Sequence, residues 1–320
     1  MSLQRLVGSA GHLGVHGHRI FRDTLSDQHR NFYPRLPFAV LGAVDAERDV
    51  WATLRAGIPG FLTSNEPSSL HVATRRDTGD PVESGLNDGD AVALLGIELH
   101  TRRRNRLNGK VRRTGTDSFD IVVGQSYGNC PQYIQLRDHE WSRDPQTPST
   151  VAPEVLPRLN ARAREMIATA DTFFVASYVD LDSGVRQVDV SHRGGRPGFV
   201  RVNADDTLTI PDFAGNQFFN TLGNFLVNPR AGLVFVDFER GDLLQLTGTA
   251  RVVLDDPEIA TFRGAERLWR FTPRRGVYRA DALPLRWTFE QNGWSPESLR
   301  TGNWPQGQGQ LPRPRSVASG

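Results

Sequence analysis

A long-period repeat constrains this chain more than any other feature of its sequence. Residues 38–61 (FAVLGAVDAERDVWATLRAGIPGF) and 173–199 (FFVASYVDLDSGVRQVDVSHRGGRPGF) follow one pattern. Phe38, Val40, Val44 and Asp45 match Phe173, Val175, Val179 and Asp180 at an offset of 135. Pro59-Gly60-Phe61 matches Pro197-Gly198-Phe199 at 138, while ALLGIEL (93–99) matches GLVFVDF (232–238), and Gly109 matches Gly248, at 139. So small a drift means the same order of elements twice, with short loop insertions. A repeat of this length is a domain-sized unit rather than a solenoid turn.

Each copy reads as β structure. Phe173–Val179 is apolar and aromatic and runs into Asp180-Leu181-Asp182-Ser183-Gly184, a hairpin turn signal. Val185–Val190, Gly198–Val202 and Leu208–Ile210 continue the meander, and Leu233–Phe238 with Leu243–Leu246 form a second hairpin. Short strands between Gly-rich turns argue for barrels over a parallel α/β sheet. Helices are expected over Pro153–Ala170, Asn216–Val227 (stopped by Asn228-Pro229) and Asp256–Arg270, with Pro257 in the first turn. The fold class is therefore mainly β with a few helices. The layout expected is an N-terminal arm over 1–34, a first copy over 35–150, a second over 151–300, and a disordered tail over 301–320.

Charge narrows the function. Lys110 is the sole lysine among 38 basic residues, so the pI of 9.0 reflects 37 arginines against 36 acidic residues, a net charge of only +2. Acidic residues interleave nearly everywhere, without the basic stripe of a nucleic-acid binder. No apolar run approaches the ~18 residues of a membrane span, and no apolar stretch follows the N-terminal basic residues as in a signal peptide. Cys130 is the single cysteine, which removes a disulfide framework and a Cys-rich metal site. A cytoplasmic protein follows as the expectation.

Three stretches could carry chemistry. Ser191-His192-Arg193-Gly194-Gly195-Arg196-Pro197-Gly198 is a basic, Gly-rich segment whose N–H groups and guanidinium forks suit an anion, or else an ordinary basic hairpin loop. Gly215-Asn216-Gln217 opens a predicted helix, whose free N–H groups form a phosphate site, or whose Asn216 is simply a cap. In Arg102–Asn108 (RRRNRLN), an extended backbone puts Arg104, Arg106 and Asn108 on one face, which serves an anionic ligand, a partner carboxylate or only solvent. His12, His16 and His18 have ligand-like spacing but no carboxylates nearby. Cys130, in a GNCPQY stretch, is expected to start a short helix and to serve in packing or backbone contact.

The runs DVSHRGGRPGFVRV (189–202), PDFAGNQFFNTLGNFLVNPRAGLVF (211–235) and LLQLTG (243–248) resemble the pyridoxamine 5'-phosphate oxidase-related flavin-nucleotide-binding proteins. LLGIELHTRRRNRLNG (94–109) and QSYGNCPQYIQ (125–135) are similar to the long bacterial members of that group. The resemblance covers roughly 35–290. It implies tandem split β-barrels that form a pseudo-dimer within one chain, with FMN at their junction. It further implies that Ser191, His192, Arg193, Arg196 and the Asn216-Gln217 helix start hold the FMN phosphate. Gln245 and the Asn105–Asn108 strand, with Arg104, Arg106 and Asn108, would then contact the rest of the flavin. The activity implied is an FMN-dependent oxidoreductase acting on a small-molecule substrate or electron donor. A flavin-binding module without turnover, or a split barrel using a deazaflavin or haem, are the alternatives. A further homodimer is compatible with all three.

Overall fold

The computed structural model describes residues 22–215 and 219–305. The first copy is a seven-stranded antiparallel sheet: β1 (Phe38–Val44), β2 (Val50–Ala56), β3 (Leu62–Thr63), β4 (Ser69–Val72), β5 (Ala91–Glu98), β6 (Arg103–Arg113) and β7 (Phe119–Gly128). Then come β8 (Arg137–Trp141) and β9 (Glu154–Leu156), followed by the second copy's β10 (Thr172–Asp180), β11 (Arg186–Gly194), β12 (Arg201–Val202), β13 (Leu208–Phe213), β14 (Arg230–Asp237), β15 (Asp242–Val253) and β16 (Ala265–Arg279). The last strand is β17 (Leu285–Phe289). Strand order is β2-β1-β5-β6-β7-β4-β3 in one sheet and β11-β10-β14-β15-β16-β13-β12 in the other, the same path twice. The protein is mainly β, a tandem of split barrels. Even an irregularity recurs: β6 shifts register at Asn108/Gly109 and β15 at Thr247/Gly248.

Three apolar cores explain why the strands nearest the junction are continuous apolar runs rather than alternating ones. Leu41, Leu94, Leu107 and Ile121 fill the first barrel, and Phe173, Leu233, Leu246 and Trp269 fill the second. Val40, Leu95, Phe174, Val190 and Val234 form a third core between them. Every residue of β1 is therefore buried, one face inside its own barrel and the other against its twin. Two strands bind the halves further: β8 and β17 pair as a two-stranded sheet of their own.

The pairing corrects the repeat by one residue. Ala39 pairs with Arg55 and Phe173 with Arg193, so β1 superposes on β10 at an offset of 134, not 135. A one-residue slip in a strand exchanges its two faces. Val40 thus corresponds to Phe174, both in the central core, whereas an offset of 135 would pair it with Val175 of the second barrel's interior. From β2 to β11 the offset is 138, and from β6 to β15 it is 139, as the sequence pattern indicates.

Helices are shorter than expected. Of Pro153–Ala170 only α2 (Ala161–Thr169) is helical; it is capped by Asn160, whose side chain accepts from the Ala163 amide, while 154–156 forms β9. The helix expected at Asp256–Arg270 is instead one 3-10 turn, Pro257–Thr261, after which β16 opens. The reason is packing, since Leu268, Trp269 and Phe271 serve the second core from a strand. α1 (Asp27–Phe32) packs Phe32 into the first core. The tail is ordered through residue 305: α4 (Pro296–Arg300) precedes Trp304, whose Nε1 donates to the Phe199 carbonyl at 2.8 Å. The rest of the tail, and His12, His16 and His18, lie outside the described residues. Among the described residues no helix is long and apolar enough to cross a membrane.

Candidate functional site

One cleft opens where the edge strand β11 of the second copy meets β6 of the first. It is a cavity of about 120 Å³. Its walls are Arg104 and Arg106 from β6, the 129–133 loop, Ser191–Gly194 from β11, the end of β13, and the start of α3 (Asn220–Val227). Gly194 makes the walls meet. A Cβ there would lie 1.9 Å from the Tyr133 carbonyl oxygen, so only glycine lets the loop press against the strand.

A buried network fixes the polar groups. Asp189 accepts from Arg106 at 3.0 and 3.2 Å, from the Tyr127 hydroxyl at 3.0 Å and from Ser191 at 3.1 Å. Asn220 at the head of α3 donates to the Tyr127 hydroxyl at 2.7 Å, and Ser191 and Thr221 share a hydrogen bond at 2.8 Å. On the other flank Asp212 holds Arg193 at 2.5 Å and Arg267 at 3.1 Å. Burial, then the charge of Asp189, raises the Tyr127 pKa, so its hydroxyl stays neutral.

Arg104 differs from the other cations. Its Nε donates to the Cys130 carbonyl at 2.7 Å, but no described carboxylate pairs with it. Burial, then the neighbouring Arg106 and Arg193 guanidiniums, push its pKa down to about 9. An arginine keeps its charge at neutral pH even so, and the shift measures a repulsion that an anion would relieve. His192 feels the same field. Burial, followed by Arg104, Arg193, Arg137 and Arg106, depresses its pKa far below 6.5, and the ring is neutral. Buried atoms without hydrogen-bond partners gather here: Arg106 Nε, Arg193 Nε, Asn129 Oδ1 and His192 Nε2. At the rim, Tyr133 and Phe213 stack with centroids 5.2 Å apart.

The structure brings Arg104, Arg106, Ser191, His192 and Arg193 into one cleft. The sequence segment containing Ser191 is strand rather than loop, since β11 runs through Gly194. Arg196 sits on the turn beyond it, outside the lining. Asn108 keeps the face of Arg106 two positions along β6, with its buried Oδ1 unpartnered, but does not line the cleft. Asn216 and Gln217 lie outside the described residues. The described helix starts at Asn220 behind Phe219, a left-handed residue (φ 52°) that makes no side-chain cap. Cys130 lines the cleft from an irregular loop ahead of a turn at 132–133; no helix begins there.

Gln245 is a correction. It is fully buried away from the cleft, donating at 2.9 Å to both the Ala52 carbonyl and Asp80 Oδ1. The repeat accounts for this: Gln245 is the 139-offset counterpart of Arg106, so it belongs to the equivalent position on the opposite side of the pseudo-dimer. Sequence reasoning missed Asp189, Asp212, Tyr127 and Thr221. Asp189 had a signal, because alternation puts it on the face of Ser191 and Arg193; the others converge only through the fold.

No family model matches the chain, and no curated protein does. Among solved structures, a putative pyridoxamine 5'-phosphate oxidase from Lactobacillus delbrueckii is 15% identical, with a TM-score of 0.27 over 33% of this chain and 95% of that one. The haem storage protein HutZ of Vibrio cholerae is 19% identical at 0.27, over 38% and 95%. A protein of Clostridium acetobutylicum related to general stress protein 26, of the pyridoxinephosphate oxidase family, is 14% identical at 0.27, over 40% and 92%. Each match takes in nearly the whole of the other chain and well under half of this one.

Proposed function

We propose that the chain binds one FMN in the β6–β11 cleft and acts as an FMN-dependent oxidoreductase on a small substrate or electron donor. The observation that carries this reading is Arg104, a guanidinium among Arg106, Arg193 and His192 whose side-chain hydrogen-bond partner, among the described residues, is a carbonyl alone. A phosphate monoester supplies the missing negative charge, and hydrogen bonds to charged groups contribute about 1.5–3 kcal/mol each. The orphaned Arg106 Nε and Arg193 Nε are donors that suit a ligand with several acceptor oxygens. About 120 Å³ is four times the ~30 Å³ share of a water molecule, room for the anionic end of such a ligand. The stacked Tyr133 and Phe213 offer a flat apolar surface to a ring system.

FMN supplies the redox chemistry when bound. This chain's part is to bind and orient. Arg104 brings the charge that the phosphate answers, Arg193, held by Asp212, and Arg106, held by Asp189, offer their Nε donors, and the neutral His192 adds no charge to a wall already rich in cations. The purified protein's visible spectrum, followed by flavin fluorescence titration, tests the reading. Flavin bands that bleach with NAD(P)H are expected; a stable, unreduced flavin would mark a binding module, and a different chromophore would overturn FMN.

A further inference from the structure

The pseudo-dimer has two junctions, and only one is open. Equivalent positions follow from the paired registers. Thr53 and Arg55 on β2 correspond to Ser191 and Arg193 on β11, Gln245 to Arg106, and Arg279 on β16 to Asn129 beside β7. In the second junction all four converge on one carboxylate. Asp80 accepts from Thr53 at 2.5 Å, Gln245 at 2.9 Å and Arg279 at 2.9 Å, and pairs with Arg55 at 3.1 Å. Asp77 pairs with Arg279 and, at 3.3 Å, with Arg55, and Glu83 takes Arg55 at 2.7 Å. Burial alone would raise the Asp80 pKa, but Arg55 and Arg279 with the Gln245 and Thr53 hydrogen bonds outweigh it and hold the carboxyl ionised.

In the open cleft no described carboxylate gathers all four corresponding groups. Ser191 and Arg106 turn to Asp189, Arg193 turns to Asp212, and Arg104 has none among the described residues. The two junctions thus set polar groups at matching positions, one closed by a tethered anion and one left with a surplus cation.

We propose that the segment 77–83 is a built-in ligand mimic, whose Asp80 carboxylate occupies the closed junction as an oxyanion, and that the closed junction is a latent phosphate site. The assignment of an anion to the open cleft rests on the reading above, whereas the latent site rests on the Asp80 network alone. Two consequences follow. The chain holds one ligand despite its repeat, and removing the tethered charge creates a second site.

Equilibrium dialysis with radiolabelled inorganic phosphate, on the full chain, separates the two claims. Asp77→Asn/Asp80→Asn in an Arg104→Met background is expected to bind one phosphate, and Arg104→Met alone none. Phosphate at about 100 times its Kd should raise the triple variant's melting midpoint on the order of 5 °C over chloride of equal ionic strength. A folded triple variant that binds no phosphate overturns the latent site. If the wild type binds none while the triple variant binds one, the latent site stands and the reading of the open cleft fails. Should the triple variant not fold even with phosphate, Asp80→Asn/Arg104→Met decides, since it removes the tethered oxyanion while Asp77 and Glu83 stay to pair with Arg279 and Arg55. Its midpoint must rise with phosphate over chloride, and no rise overturns the proposal.

Discussion

Arg104 and His192 show how one strand face sets the chemistry of the cleft. Arg104 shares its face with Arg106 because β6 is extended, and no carboxylate among the described residues neutralises its charge. Replacing it with Met should therefore weaken FMN by about tenfold to a hundredfold, the equivalent of ~1.5–3 kcal/mol, and leave riboflavin nearly unchanged. Arg196→Ala, outside the lining, should do little to either; fluorescence titration of both flavins checks the pair. His192 makes a statement about pH. Its pKa is depressed in the folded chain and near 6.5 in the unfolded one, so the unfolded state takes up the proton first as pH falls. Its neutral ring thus contributes stability above pH 6.5 that is lost below it. The groups facing it, Arg104, Arg106, Arg137 and Arg193, are all cations, so none offsets that loss. His192→Leu, which installs the residue of the equivalent position Leu54, should flatten the fall in melting midpoint below pH 6.5. An unchanged pH profile would remove His192 from this role.

Among the elements, the strands were the most legible in sequence and the helices the least. The hairpins at 180–184 and 239–242 announced themselves through turn residues, and β13 through Leu208-Thr209-Ile210. Asp256–Arg270 reads as a helix because Pro257 is as good an opening for one 3-10 turn as for a helix, and only the second core decides that Leu268 and Trp269 extend. The one-residue error in the β1 offset has the same origin. A run buried on both faces carries no alternation to fix its register. In the site, the face shared by Arg104 and Arg106 was readable from period two, while the loop facing them was not, because its position depends on a contact between distant segments. That contact gives an element-scale prediction. Gly194→Ala drives a methyl group into the Tyr133 carbonyl, so the 129–133 loop must retreat from β11. The cost should be about 1–3 kcal/mol, the range for overpacking, read as a lower denaturation midpoint together with weakened ligand binding. A variant as stable as the wild type would show the loop to be loosely held.

At the scale of the molecule, the repeat is equal in topology and unequal in chemistry. The halves share strand order and bulge position, yet Gln245 stands where Arg106 stands, and three carboxylates close one junction. Their union depends on β17. Trp287 packs edge-on against Phe38 of the first copy at 5.4 Å and Phe238 of the second at 5.3 Å, while its strand pairs with β8. A chain ending at residue 284 should therefore unfold at lower denaturant and with a smaller m-value, as surface normally hidden between the copies stays wet. An unchanged m-value would mean that the junction closes without the clasp. During synthesis, β8 leaves the ribosome about 140 residues before its partner, and at roughly 5–20 residues per second the wait is on the order of ten seconds. For that interval β8 is a strand without its partner, an edge open to whatever other strand reaches it first.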